Sequence, residues 1–312
     1  MNKLFVEASP HIRSPRTTKN IMLDVIIALC PALVASIVIF GYKAAVLTAV
    51  SVASCVLFEF LFNKIVKKPG TVSDLSAIVT GMLLSFNLPV DLPIYMAVIG
   101  CFVAIVIVKC LFGGIGQNFA NPAITARIVL MLSFGGYMST WAAPFWYKTG
   151  TIDAVTTATP LAMDSGLPSY LDMFLGIRGG CIGETCIAAL LLGGLYLIAV
   201  RVINPLVPAA FIGTVALCTF VSGGDVLMEI MSGGLFLGAF FMATDYVTTP
   251  ITTAGRVIFA IGCGLITVVI RNFANIPEGV SFSILIMNIL TPLIDRYVKP
   301  RPFGVKKEAS GK

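Results

Sequence analysis

Long apolar runs, separated by short polar or glycine-rich breaks, organise this chain. Uninterrupted runs fill residues 21–42, 44–65, 92–112, 183–202, 205–222 and 277–298. Each approaches or exceeds the roughly 20 mostly apolar residues with which a helix crosses a bilayer. Four further runs, at 74–88, 121–134, 227–242 and 255–270, are shorter or interrupted by glycine and polar residues, and they are read as spans too. The pattern predicts an all-α integral membrane protein of about ten transmembrane helices. The candidate helix breaks are Ser85 to Pro89, Thr244-Asp245-Tyr246 through Pro250, and Gly113-Gly114-Ile115-Gly116-Gln117-Asn118. Non-helical backbone at membrane depth is tolerated only when buried in protein or lining a cavity, so these breaks are expected to face the bundle interior.

Composition excludes a soluble domain: of 312 residues 57% are hydrophobic and only 12% charged, with a mean hydropathy of +0.96, about half the usual charged fraction. The formal charge of +6 would suggest nucleic acid in a soluble protein. In a membrane protein clustered Lys and Arg report orientation instead, and no nucleic-acid partner is expected. Lys3, Arg13, Arg16, Lys19, Lys64, Lys67, Lys68, Lys109, Arg201, Arg256 and the C-terminal group from Arg296 to Lys312 sort to one side, whereas Lys43, Lys148, Arg178 and Arg271 sort to the other. By the positive-inside rule both termini are cytoplasmic and the segment from Gly135 to about Ile182 is extracytoplasmic. The first twenty residues lack a short apolar core with a cleavage site, so targeting to the cell's inner (cytoplasmic) membrane rests on the first span. Six of the eight cysteines lie inside apolar spans and no zinc-type CxxC pair exists, which leaves no metal site expected.

Two stretches repeat in order. Ala97-Val98-Ile99-Gly100-Cys101 and the apolar run to Lys109 match Phe259-Ala260-Ile261-Gly262-Cys263 and the run to Arg271; Asn118-Phe119-Ala120-Asn121 then equals Asn272-Phe273-Ala274-Asn275. Five spans per repeat is an odd number, so the second copy crosses in the reverse sense. The expected organisation is a cytoplasmic segment (1–20), a first membrane repeat (21–135), an extracytoplasmic loop (136–182), an inverted second repeat (183–298) and a cytoplasmic tail (299–312). Inverted repeats recur in transporters and channels, with the working site near the midplane and built from broken helices.

The chemistry-bearing motif lies in the loop, in the run from Thr151 to Leu161. Asp153, Thr156, Ala158 and Thr159 resemble the flavin-attachment signature, in which a transferase links the phosphate of FMN to the last threonine by a phosphoester bond. An alcohol is a poor nucleophile and needs an external base, so the transferase supplies catalysis and the loop an accessible hydroxyl. Pro160 holds Thr159 out of helical geometry. Thr157 stands where many such sites have glycine.

Gly113 to Asn118 with Asn121-Pro122-Ala123, then Ala158-Thr159-Pro160-Leu161, Ala243-Thr244-Asp245 with Gly255-Arg256, Pro277-Glu278-Gly279-Val280 through Asn288, and Pro292-Leu293-Ile294-Asp295 together resemble the D component of the Rnf electron-transport complex. That family is similar to the B component of the sodium-translocating NADH:quinone reductase, and the resemblance runs from Ser14 to Tyr297. It implies a membrane flavoprotein subunit of an ion-translocating oxidoreductase, not catalytic alone, that relays electrons between ferredoxin and NAD and couples this to sodium or proton translocation. It also implies a covalent FMN on Thr159, a second noncovalent flavin such as riboflavin inside the bundle, and a flavin transferase. Partners are the other Rnf subunits, including a second covalent-FMN subunit and iron–sulfur membrane subunits.

Ionisable residues in or near spans are further candidates, because charge in the bilayer is costly. Asp24 and Glu184 sit in the first turns of their predicted helices, where an acid also suits the macrodipole. Glu59 either snorkels to the cytoplasmic surface or joins an ion path, and Asp245 follows a broken helix. Cys101 and Cys263 are repeat-related, which raises a shared iron–sulfur centre, although buried Cys in apolar helices is ordinary; His11 reads as a surface residue. The competing reading is an inverted-repeat solute channel or secondary transporter of the urea or ammonium type, for which the Asp153 to Thr159 motif has no use.

Overall fold

The computed structural model describes residues 16–67, 70–148, 156–157, 168–274 and 279–299. His11, Asp153, Ala158 and Thr159 lie outside the described residues, and Thr156 is described only as a strand position.

Helix α1 (Thr18–Phe40) opens on Thr17, whose hydroxyl accepts the Asn20 N–H at 3.4 Å, the cap expected of threonine. It ends at Gly41, with φ of 77°, where an added Cβ would lie 2.9 Å from the Tyr147 ring. Left-handed backbone and a ring at that distance leave room only for glycine. The reversal launches α2 (Tyr42–Val66), followed by the short α3 (Ser76–Phe86). Helix α4 (Ile94–Phe102) runs on into a π-helical stretch, Val103–Cys110. At α5 (Pro122–Ser133) the Asn121 carboxamide accepts the N–H groups of Ala123 (3.1 Å) and Ile124 (3.4 Å), with Pro122 at the first helical position.

Between the halves lie α6 (Gly135–Met138), strands β1 (Trp141–Ala142) and β2 (Thr156–Thr157), and α7 (Tyr170–Leu175). The strands pair antiparallel, Trp141 opposite Thr157 and Ala142 opposite Thr156, so among the described residues the fold is all-α apart from this ribbon of two two-residue strands. The second half holds α8 (Ile187–Ala199), α9 (Leu206–Ser222), α10 (Val226–Met231), α11 (Leu235–Leu237) with a π-helical continuation Gly238–Met242, α12 (Thr253–Phe273) and α13 (Val280–Tyr297).

Every predicted span contains helix, but the observed lengths reorder them. Among the described residues four helices, α1, α2, α12 and α13, are long and apolar enough to cross a membrane. The run at 255–270, read as interrupted, is part of a 21-residue helix. It extends through Arg271 because that guanidinium is neutralised inside the protein, 3.3 Å from Glu229. The run at 183–202, read as uninterrupted, holds only the 13 residues of α8, because residues 182–185 form a turn and bend. The run at 227–242 is split by Gly233 and Gly234, both at positive φ.

Outward faces carry Val34, Val38, Leu57, Ile65, Leu192, Leu217, Phe220 and Val269, the kind of surface that lipid would cover. Helices meet where small residues let backbones approach: a Cβ on Gly81 of α3 would lie 2.8 Å from Val52 Cα, and one on Gly193 of α8 only 2.0 Å from the Ala28 carbonyl of α1. The break after α3 has its polar backbone satisfied from the other half. The N–H of Ile182 donates to Leu88 O at 3.0 Å and that of Gly183 to Phe86 O at 2.9 Å, as buried irregular backbone requires.

Candidate functional site

A cleft enclosing about 820 Å³ of space, part of it open to solvent, lies where the two halves meet, near the face at which α1 begins and α2 ends. Its walls come from Ile21 and Met22 of α1, Ser76, Thr80 and Leu83 of α3, and Phe240, Phe241 and Asp245 at the second broken segment. The loop before α5 adds Asn118 and Asn121. Most of this lining is apolar, with a few convergent polar groups, as in small-molecule sites. The side-chain oxygen of Asn118, a lining residue, is buried without a hydrogen-bond partner among the described residues.

Charge is placed at opposite ends. Lys109 closes the π-helical stretch, 3% exposed, its ammonium 2.8 Å from Glu59 Oε2 and donating to Ser76 Oγ at 2.6 Å. Glu59 is itself 1% exposed, and its other oxygen accepts the Thr71 hydroxyl at 2.5 Å. Neither expectation for Glu59 as a snorkelling surface residue nor for Lys109 as a surface marker of orientation holds, because each neutralises the other in the interior. Asp245 follows the second π-helical stretch; its carboxylate accepts the Thr248 hydroxyl at 3.2 Å and the Val247 N–H at 3.4 Å. The turn is anchored by Tyr246, whose hydroxyl donates to the Val202 carbonyl. Thr291 of α13 donates to Thr248 O at 2.9 Å.

A second cluster of buried charge occupies the end of the bundle nearer the central loop. Arg127, one turn into α5, donates to Asn87 Oδ1 at 2.7 Å and Ser281 Oγ at 3.0 Å. Arg271 donates to the carbonyls of Glu229 (2.8 Å) and Ser232 (2.9 Å). Glu184 is 4% exposed and accepts the Cys181 N–H at 3.0 Å; its Oε2 and the Nε and Nη1 of Arg178 have no hydrogen-bond partner among the described residues. Sequence reasoning passed over Arg127, Arg178 and Arg271 as functional groups. Their occurrence inside or beside apolar runs was the available signal.

The structure brings some predicted residues together and separates others. The two broken segments do meet: the Asn87 side-chain nitrogen reaches Met242 Sδ at 3.8 Å. Asp245 lines the cleft, but Asn87 lies outside its lining. Gly113 to Gln117 does not face the interior as expected; Gly113, Gly116 and Gln117 are exposed, and only Ile115 and Asn118 of that loop reach the cleft. Glu184 sits in the turn before α8, whereas Asp24 is within α1 and accepts from the Tyr196 hydroxyl at 3.3 Å, so they do not occupy equivalent first turns. Cys101 contacts Ser51 O at 3.4 Å, and the described residues hold no cluster of three or more His, Cys, Asp or Glu that could hold a metal.

On the loop side, Trp146 donates to Phe40 O at 2.9 Å, and the Phe145 N–H to Ile39 O at 2.8 Å. These bonds pin the segment after β1, and with it the ribbon that carries Thr156 and Thr157, to the α1–α2 turn.

Comparison with known proteins adds a family. Residues 5–304 match the model of the NQR2, RnfD, RnfE family. The chain is 50% identical to the subunit designated D of the Na(+)-translocating ferredoxin:NAD(+) oxidoreductase complex of Acetobacterium woodii, over 98% of both chains. It is 43% identical to the proton-translocating counterpart of Clostridium ljungdahlii, again over 98% of both. A third relative, the subunit of the same designation in the ion-translocating oxidoreductase complex of Stutzerimonas stutzeri, is 39% identical over 94% of this chain and 93% of its own.

Proposed function

The chain belongs to the NQR2, RnfD, RnfE family, and from that premise we propose that it is the membrane flavoprotein subunit of a redox-driven ion pump. It is a multi-pass membrane protein and a subunit of an ion-translocating ferredoxin:NAD oxidoreductase complex, a translocase in which other Rnf subunits are its partners. In our reading electrons pass between ferredoxin and NAD through an FMN linked to Thr159. That FMN lies on the extracytoplasmic side, both termini are cytoplasmic, and the membrane is the cell's inner one.

The observation that carries this reading beyond full-length similarity is the mostly apolar cleft between the two halves, edged by Asn118, Asn121 and Asp245. A flat apolar body with hydrogen-bonding edges suits aromatic walls at Phe240 and Phe241, amides at Asn118 and Asn121, and the unpartnered Asn118 oxygen. A noncovalent flavin fits these residues; when bound it supplies the redox chemistry while the protein positions it and sets its potential. Asp245 stands on the same wall, which makes it our candidate for coupling, with Glu59, Asp24 and Glu184 as the other acids of an ion path.

Two inverted five-helix repeats account for the placement of buried charge. Lys109 and Arg271, paired by the sequence repeat, have side chains each 3% exposed and each neutralised by a glutamate; Lys109 is tied to the first residue of α3, and Arg271 to Ser232 between α10 and α11. The test of the overall reading is in-gel fluorescence of the denatured purified chain. Covalent flavin survives denaturation, so a fluorescent band is expected, and a dark band would favour the channel or transporter reading.

A further inference from the structure

A groove on the outer surface, enclosing about 640 Å³ of space partly open to solvent, lies where α1 hands over to α2, at the end of the bundle away from the cleft. Tyr42, Lys43, Val46 and Leu47 in the first turns of α2 form one side, and residues 90–94, which lead into α4, form the other. Leu47, Val90 and Leu92 are buried beneath it, whereas Val46 and Ile94 are exposed. Both helices start here and run inwards, so the groove is an apolar trough with a polar rim. At that rim the Lys43 ammonium meets Asp91 Oδ1 at 2.6 Å, the two side chains being 34% and 28% exposed, and lies 4.1 Å from the centre of the Trp146 ring. Tyr42, Trp146 and Tyr147 cluster at the same edge, as aromatic residues do where a membrane meets water.

A part-exposed ion pair is weak, and this one is far from saturated. One of the three ammonium N–H donors and one of the two carboxylate oxygens have a hydrogen-bond partner among the described residues. The N–H groups that open α4 have no side-chain cap and add partial positive charge at the same rim. A pair of opposite charges above an apolar trough matches a ligand built alike, a zwitterion above a hydrocarbon chain. We propose that this groove is a binding site for phosphatidylethanolamine, whose phosphate accepts from Lys43 while its ammonium donates to Asp91 and one acyl chain lies over Leu47, Val90 and Leu92. Headgroup and ion pair then form one array of alternating charge, held by charge-assisted hydrogen bonds. Phosphatidylcholine carries the same charges, but its quaternary ammonium has no N–H to give Asp91. Phosphatidylglycerol lacks a cation, and its net negative charge meets Asp91 without compensation.

The test reconstitutes the intact complex in phosphatidylcholine vesicles with a trace of phosphatidylethanolamine carrying a photoactivated diazirine in one acyl chain. Adducts are mapped by peptide mass spectrometry and compared with those of a matched diazirine phosphatidylcholine. Leu217, 66% exposed on the outward face of α9, reports passing lipid and serves as the internal reference. Relative to it, the ethanolamine probe is expected to label Val46 and Ile94 about tenfold more than the choline probe, the effect of one hydrogen bond to a charged group. Unlabelled phosphatidylethanolamine should displace it and phosphatidylglycerol should not. Asp91→Asn should bring the two probes level, Lys43→Met should weaken both, and Val46→Trp, which fills the trough and keeps both charges, should remove the Ile94 adducts. Equal labelling by the two probes in the wild-type complex, or an unchanged ratio in Asp91→Asn, overturns the headgroup assignment. Absence of groove adducts above the reference, as when another subunit covers the groove, overturns the site itself. The probe comparison uses the wild-type complex and so decides the matter even where a variant fails to assemble.

Discussion

Replacing Gly193 with alanine tests a close approach between the two halves. A Cβ at that position would lie 2.0 Å from the Ala28 carbonyl oxygen and 3.1 Å from Phe241 Cζ, while ordinary contact begins at 3.4 Å. Helices α1 and α8 would have to separate by about 1.4 Å, or one would have to rotate, to reach that limit. Overpacking of this kind costs ~1–3 kcal/mol, against which alanine's helix preference over glycine returns up to ~1 kcal/mol. Gly213 of α9 provides the control: it has nothing within 4 Å, so Gly213→Ala keeps only the propensity gain and should be neutral to stabilising. Equilibrium unfolding in mixed detergent micelles measures both. The two variants should move in opposite directions, with Gly193→Ala the less stable. Equal stability would mean that the backbones of α1 and α8 are not in contact, and the small-residue account of their packing would have to be abandoned.

Thr159→Ala should abolish covalent flavin fluorescence, whereas Thr156→Ala and Thr157→Ala should leave the acceptor in place; peptide mass mapping that puts FMN on either of those residues reassigns it. An introduced cysteine near Lys148 should react with an impermeant reagent added to intact cells while one near Lys306 is protected, and the reverse pattern inverts the topology. Asp245→Asn should reduce redox-coupled ion uptake in vesicles to a small fraction while covalent FMN stays intact, and normal pumping by that variant removes Asp245 from the coupling path. Lys109→Met alone leaves Glu59 buried and uncompensated, a loss of about 3–5 kcal/mol, and addition of Glu59→Gln should recover much of it in the same unfolding assay. At the loop face, the Tyr170 hydroxyl donates to Asp225 at 2.6 Å and, with the Met228 N–H, holds that carboxyl below the usual range. Its stabilisation is therefore present above the ordinary carboxylate pKa and lost as pH falls through the depressed one; Tyr170→Phe should move the Asp225 titration upward by NMR.

Apolar length carried the positions of the helices, because burial in lipid or protein demands it of each segment independently. Where a charge is neutralised by a distant residue, the same reasoning drew boundaries too short: Arg271 truncated the run at 255–270 until Glu229, 42 residues away, was seen beside it. Glu59 and Lys109 are 50 residues apart, and nothing local in either stretch announces the pair. The repeat held the missing signal, since it aligned Lys109 with Arg271 and so marked both as one kind of position. Asp245 was legible from its place after a glycine-rich run, while the cleft's other charged wall was not. The exposure of Gly113, Gly116 and Gln117 shows that a glycine-rich break also serves as a connection at the surface.

The hydrogen bonds from Ile182 and Gly183 to Leu88 and Phe86 bear on how the protein is made. While the ribosome has delivered only the first five helices, two carbonyls of the break after α3 have no partner, and water is scarce at that depth. The groups that satisfy them emerge some 90 residues later, just ahead of α8. The early helices must therefore wait in an unfinished state, shielded by insertion machinery or by lipid headgroups, until the second half arrives. A truncated chain ending before residue 181 should be a substrate for membrane proteases, not a stable fragment, which makes late synthesis the committing step of assembly.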